Sequence, residues 1–187
     1  MPLRPLLEAD LSLVLGWRNA PEVRRNMYST HEITEAEHRA WFARLKDDSQ
    51  SRWFVHEDVA DRPDGVVYFT QLQLGTGSAF WGFYVAPNAP PGTGTSLGMD
   101  TLDKAFLDLN LHKLNAEAIA SNRASLRFHK KLGFQQEGLF RDFHFDGEHY
   151  VDVVRLGILA SEWAAKREEI QALIVMNNDP ANSRSVG

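Results

Sequence analysis

The sequence contains no cysteine. That one absence excludes disulfides, thiolate metal sites and a cysteine nucleophile. No run approaches the ~20 apolar residues of a membrane span. The first seven residues lack the charged-then-apolar layout of a secretory leader. A soluble, cytoplasmic chain with no membrane partner is therefore expected. Positive charge is not in excess either: 20 Lys and Arg stand against 25 Asp and Glu, for a net charge of −5. A nucleic-acid partner is not expected from such a balance. The seven histidines show no ligand spacing with carboxylates, so no metal is expected. Repeats and low-complexity stretches are also missing. A length of 187 residues suits one domain, read here as 1–175, with 176–187 as a disordered tail.

What is present reads as α+β. Leu7, Leu11, Val14, Leu15 and Arg18 fall at helical spacing, and Ala20-Pro21 breaks the run. Thr34 and Glu37 form a capping box before a second helix whose inner face is His38, Trp41, Phe42 and Leu45. Strands follow over 53–59, 66–74 and 79–86, with turns expected at 62–65 and 75–78. Their links are too short for parallel crossovers, so the three form an antiparallel meander. Next come a helix carrying Leu102, Ala105, Phe106 and Leu109, a strand over 113–119, and a short helix over 122–132 stopped by Gly133. Two extended runs, 135–145 and 149–159, join around Asp146-Gly147, and Ser161 opens a last helix to about 175.

Two segments carry chemistry. Gly92-Thr93-Gly94 lies between a strand and a helix start. Glycines there let a backbone approach a ligand closely, and a helix N-terminus adds about half a positive charge. Together they suit a pyrophosphate, although a dinucleotide fingerprint and a P-loop are both absent. The second segment runs from Asn122, a helix cap, to Phe134. The stretch 113–131 gathers Lys113, Arg123, Arg127, Lys130 and Lys131 against the single acid Glu117. A basic segment in an acidic chain suits a local anionic ligand.

Together the two segments resemble the acetyl-CoA-binding half of the GNAT superfamily. Val85-x-Pro87 and the loop 89–94 fit its strand end and pyrophosphate loop. Asn122, Ser125, Lys131, Gly133 and Phe134 fit its later N-x-x-[SA]…K-x-G-F segment. The chain departs from the pattern twice: Ala89 replaces the usual Gln or Arg, and His129 replaces a common Tyr. The resemblance implies a mixed, mostly antiparallel sheet of about seven strands flanked by helices on both faces. It implies an acetyl-CoA-dependent N-acetyltransferase that binds its donor through Val85, Gly92, Thr93, Gly94, Thr95, Ser96, Asn122, Ser125, Phe128 and Lys131. The family's Tyr is often the acid that protonates the departing thiolate, and His129 stands in that position. An imidazole can also supply a proton. Glu117 faces away from Leu114, Ala116 and Ala118, on a strand the family splays to admit substrate, and is the candidate base. Tyr84 closes the third meander strand near the acetyl site and is the third candidate catalytic residue.

Trp17-Arg18-Asn19, Val23-Arg24, Asn26-Met27-Tyr28, His31-Glu32-Ile33 and the run 150–154 are similar to one GNAT subgroup. Its members are the UDP-4-amino-4,6-dideoxy-N-acetyl-β-L-altrosamine N-acetyltransferases of pseudaminic acid biosynthesis. That likeness implies a nucleotide-linked amino sugar as small-molecule acceptor. Arg18, Arg24 and Arg25 would then meet a diphosphate, Tyr28 or Trp53 would stack on uracil, and His31 would bond a sugar hydroxyl. The alternatives are an acetyltransferase for protein N-termini or small amines, and a non-catalytic acyl-CoA binder. The fold often pairs, so a homodimer is open.

Overall fold

The computed structural model describes residues 2–178. Its centre is one seven-stranded sheet in the order β1-β2-β3-β4-β5-β7-β6. The strands are β1 (Leu3–Pro5), β2 (Arg52–Glu57), β3 (Pro63–Gln73), β4 (Ser78–Val85), β5 (Lys113–Ile119), β6 (Gln135–Phe145) and β7 (Tyr150–Leu159). Every neighbouring pair is antiparallel except β4 with β5. The helices are α1 (Leu11–Asn19), α2 (Pro21–Arg24), α3 (Glu35–Leu45), α4 (Thr93–Asp103), α5 (Arg123–Leu132) and α6 (Ala160–Asn178).

The sheet buries both faces, because its strands alternate into two cores. Val14, Trp17 and Val23 pack on Val55, Val66 and Tyr84 on one side. Leu97, Leu102, Leu132, Trp163 and Ile170 pack on Phe54, Phe69, Trp81 and Leu114 on the other. Thus α1 to α3 cover one face, and α4, α5 and α6 the other. No helix among the described residues is long and apolar enough to cross a membrane.

Local rules explain most elements. Thr34 Oγ1 accepts from the Glu37 amide at 3.2 Å, and Glu37 Oε2 accepts from the Thr34 amide at 2.7 Å, the reciprocal cap that starts α3. Asn122 Oδ1 caps α5 through the Ser125 amide at 3.0 Å, and Gly133 ends it at φ 100°.

Several expectations shift. The turn placed at 62–65 falls at 58–62, where Asp58 Oδ1 accepts from the Ala60 and Arg62 amides. Pro63 to Gly65 instead open β3, with Gly65 opposite Val85. Two short elements were not foreseen: β1, three residues paired to the outer edge of β2, and α2, begun by Pro21 at its first turn. The last helix runs to Asn178, past the expected start of the tail, whose remaining residues lie outside those described.

Candidate active site

Strands β4 and β5 separate along their length. They pair only at Ser78 with Lys113, Ala79 with Leu114 and Phe80 with Asn115. Asn115 Nδ2 donates to Ala79 O at 3.1 Å, and beyond it the two strands share no bonds. Each keeps its outer partner to the end, β4 with β3 as far as Val85 and β5 with β7 as far as Ile119. The inner edges therefore present unpaired peptide groups to a cavity of about 1240 Å³. The opening passes through the sheet, so residues from both faces line it.

On the α4–α5 side, Gly92 is the N-cap of α4 in the left-handed region, φ 99°. Its carbonyl accepts from the Thr95 and Ser96 amides, while the Gly94 amide makes no backbone bond. Such a free amide at a helix N-terminus suits an anion. A Cβ on Gly98 would lie 2.7 Å from Leu132 Cδ1, so glycine there lets α5 close on α4. Lys131 Nζ then donates to Thr95 Oγ1 at 2.9 Å. Val85, Asn122, Ser125 and Phe128 line the cavity. These features suit acetyl-CoA: the free Gly94 amide at the start of α4, outside the cavity wall itself, an unpaired strand edge at β4 and the aromatic side of Phe128.

His129 stands on the same side, 3% exposed, beside Trp81, Phe128 and Phe134. Burial in this aromatic box pushes its pKa down to about 4. The ring is therefore neutral at pH 7. Nδ1 donates to Ser125 O at 2.8 Å, which assigns the tautomer and leaves Nε2 without a protein partner. The expectation of a proton donor meets a neutral imidazole with its one proton committed.

The opposite face holds the remaining candidates. Glu117 Oε2 accepts from Tyr28 Oη at 2.8 Å. Its Oε1 lies 3.3 Å from Arg155 Nη1. The Arg155 guanidinium sits over Phe80 at 4.2 Å. Burial first, and then the Glu117 hydrogen bond, hold the Tyr28 phenol above its usual pKa. Tyr84 is buried, and desolvation likewise keeps it protonated. Gly82 is required here, since a Cβ would fall 2.2 Å from the Tyr68 ring.

Arg18 is the unusual member. Nη2 donates to Ser29 O at 2.8 Å. Nη1 is buried with no hydrogen-bond partner, the residue lines the cavity, and no carboxylate pairs with the guanidinium. Desolvation above all lowers its pKa. Trp53 stacks on Tyr68 at 4.2 Å and meets the Trp41 ring at 4.7 Å. It therefore offers its unpartnered Nε1 more than a free face for stacking. His31 is on the rim, its Nδ1 2.8 Å from Ser29 Oγ. Arg24 faces Glu32 at 3.5 Å, off the cavity wall, as is Arg25. Sequence reading missed Arg155, Tyr68 and Trp81, which also line the cavity. A lone arginine in the apolar run 153–158 was a usable signal for Arg155. Its register opposite Glu117 was not. Among the described residues, no group of three or more His, Asp or Glu side chains is arranged to hold a metal ion.

Comparison with known proteins converges on one chemistry. Residues 1–135 match the acetyltransferase (GNAT) domain family. Over 136 residues the chain is 29% identical to acetyltransferase PseH of Campylobacter jejuni, covering 72% of this chain and 83% of that protein. Over 170 residues it is 26% identical to the spermidine N(1)-acetyltransferase of Vibrio cholerae, covering 90% and 98%. The crystal structure of the Vibrio cholerae spermidine N-acetyltransferase with CoA and spermine superposes with a TM-score of 0.80 at 26% identity. That match covers 87% of this chain and 96% of that one.

Proposed function

The chain belongs to the GNAT acetyltransferases, and from that premise we propose that it acetylates the amino group of a nucleotide-linked amino-deoxy sugar. Acetyl-CoA supplies the acetyl group; the enzyme's part is to bind both reactants on opposite faces of the split sheet and bring them together in the gap.

The observation that carries the acceptor class is Arg18, half-buried on the acceptor side with its Nη1 buried and unpartnered. A desolvated, unpaired cation is costly unless a ligand satisfies it. It suits a diphosphate and opposes a polyamine. The acids nearby do not reverse that sign. Glu117 is held by Tyr28 and Arg155, and Glu37 is bound to the start of its own helix. Only Glu22 is left, at the exposed rim. Both relatives lie at similar identity, one a PseH acetyltransferase and the other named for spermidine, so the support for the sugar nucleotide comes from Arg18.

The acceptor amine must be neutral to attack. Glu117, on the acceptor side, takes its proton directly or through one water, with Arg155 and Tyr28 holding the carboxylate in place. Attack forms the C–N bond and breaks the C–S bond of the thioester. The thiolate departs toward the α5 side, where neutral His129 forms part of the wall and water supplies the proton.

Calorimetry with uridine diphosphate tests the acceptor class. Binding that persists with acetyl-CoA present, and is lost in Arg18→Met, supports the sugar nucleotide. Absence of diphosphate binding with measurable spermidine binding would move the assignment to a polyamine.

A further inference from the structure

His56 is the least exposed histidine, 2% accessible on β2. Both ring nitrogens face carboxylates: Nδ1 is 2.5 Å from Asp64 Oδ1 on β3, and Nε2 is 3.0 Å from Asp100 Oδ2 on α4. A neutral imidazole carries one N–H and can satisfy only one of these acids. The geometry therefore calls for the imidazolium, a cation between two anions. Both acids connect to the donor site. Asp100 also lies 3.5 Å from Ser96 Oγ, in the first turn of α4. The backbone carbonyl of Asp64 accepts from the Ala86 amide at 2.8 Å, where β4 leaves the sheet for Pro87. Next to Asp64, a Cβ on Gly65 would come within 2.5 Å of Leu97 Cδ1, so β3 and α4 are already in tight contact there. The other charges on the packed elements are paired elsewhere: Glu57 with Arg4, Asp103 with Arg167, and Lys104 with Asp108.

We propose that His56 is a positioning residue for acetyl-CoA, its protonated ring pinning the N-terminal turns of α4 to β3 so that the Gly92–Ser96 seat is held for the pyrophosphate. The inference rests on the acetyl-CoA reading of that seat. Deprotonation would act twice in the same direction. One aspartate would face a lone pair and push α4 away. The cluster would also pass from one net negative charge to two, about two helical turns behind a helix end that must receive an anion. His56 has its pKa raised, the two aspartate hydrogen bonds outweighing the opposing effect of burial. Its contribution is thus complete below the ordinary histidine range and disappears as pH rises through the folded value.

The test is acetyl-CoA affinity by calorimetry from pH 6 to 9.5, for the native protein and His56→Gln, with His56 followed by NMR. Native affinity should fall on the order of tenfold across the His56 titration. The variant should stay near the weak, high-pH value throughout. Saturating acetyl-CoA should also raise the His56 midpoint in the native protein, a reciprocal effect that needs no variant. Parallel pH profiles for the two proteins, or an unmoved midpoint on binding, would overturn the proposal while leaving the acetyl-CoA seat intact. No native binding at any pH would overturn the seat and the proposal together.

Discussion

Tyr28 and Glu117 are 89 positions apart in the chain and meet at 2.8 Å across the acceptor side of the split sheet. The bond ties the loop after α2 to β5, the strand that borders the opening. It fixes the carboxylate oxygen opposite the one facing Arg155. Removing the hydroxyl frees both the loop and the carboxylate. Tyr28→Phe should raise the acceptor KM and lower kcat, for a combined loss of roughly tenfold in kcat/KM. Steady-state kinetics with acetyl-CoA saturating checks it, and native kinetics would detach the pair from the reaction.

Glu117→Gln removes the proposed base while keeping the Tyr28 contact. Turnover should fall by about 10² at neutral pH. The loss should shrink as pH rises, because the acceptor then arrives already deprotonated. A loss of equal size at every pH would give Glu117 a positional role.

His129→Phe separates an acid from a wall. With a pKa of about 4, roughly one imidazole in a thousand is protonated at pH 7. The substitution should cost less than tenfold in kcat, and the native pH–rate profile should contain no ionisation belonging to His129 between pH 6 and 9. A loss of about 10² or more would assign His129 the proton-donor role.

Gly94→Val addresses the donor seat. A Cβ at Gly94 meets only Phe128 Cε2, at 3.8 Å, so an alanine-sized group is tolerated by the fold. The larger branched side chain crowds the space in front of the free amide. Acetyl-CoA binding should weaken by at least tenfold with little change in Tm. Unchanged affinity by calorimetry would remove the seat from Gly94.

The candidate donor residues stood out in sequence because they fall in two short local motifs, a glycine turn at Gly92 and Gly94 and a capped helix with Asn122, Ser125 and Lys131, which carry the family resemblance. The meander, the 113–119 strand and the final hairpin were legible for the same reason, since period and turn chemistry are local. The acceptor side was not. Arg155 reaches Glu117 only through the β5–β7 register, and Tyr28 through the loop between α2 and α3. His56, Asp64 and Asp100 belong to three separate elements, and nothing in their spacing brings them together. The pKa of His129 was equally hidden, since its box draws on β4, α5 and Phe134 just before β6.

The most direct test of the central claim is release of free thiol from acetyl-CoA with three acceptors offered separately. These are a UDP-linked 4-amino-4,6-dideoxy sugar, spermidine, and a peptide carrying a ribosomal-protein N-terminus. Turnover with the sugar nucleotide, at least a hundredfold above the other two in kcat/KM and abolished by Arg18→Met, is the predicted result. Efficient turnover of spermidine, indifferent to Arg18→Met, would contradict it.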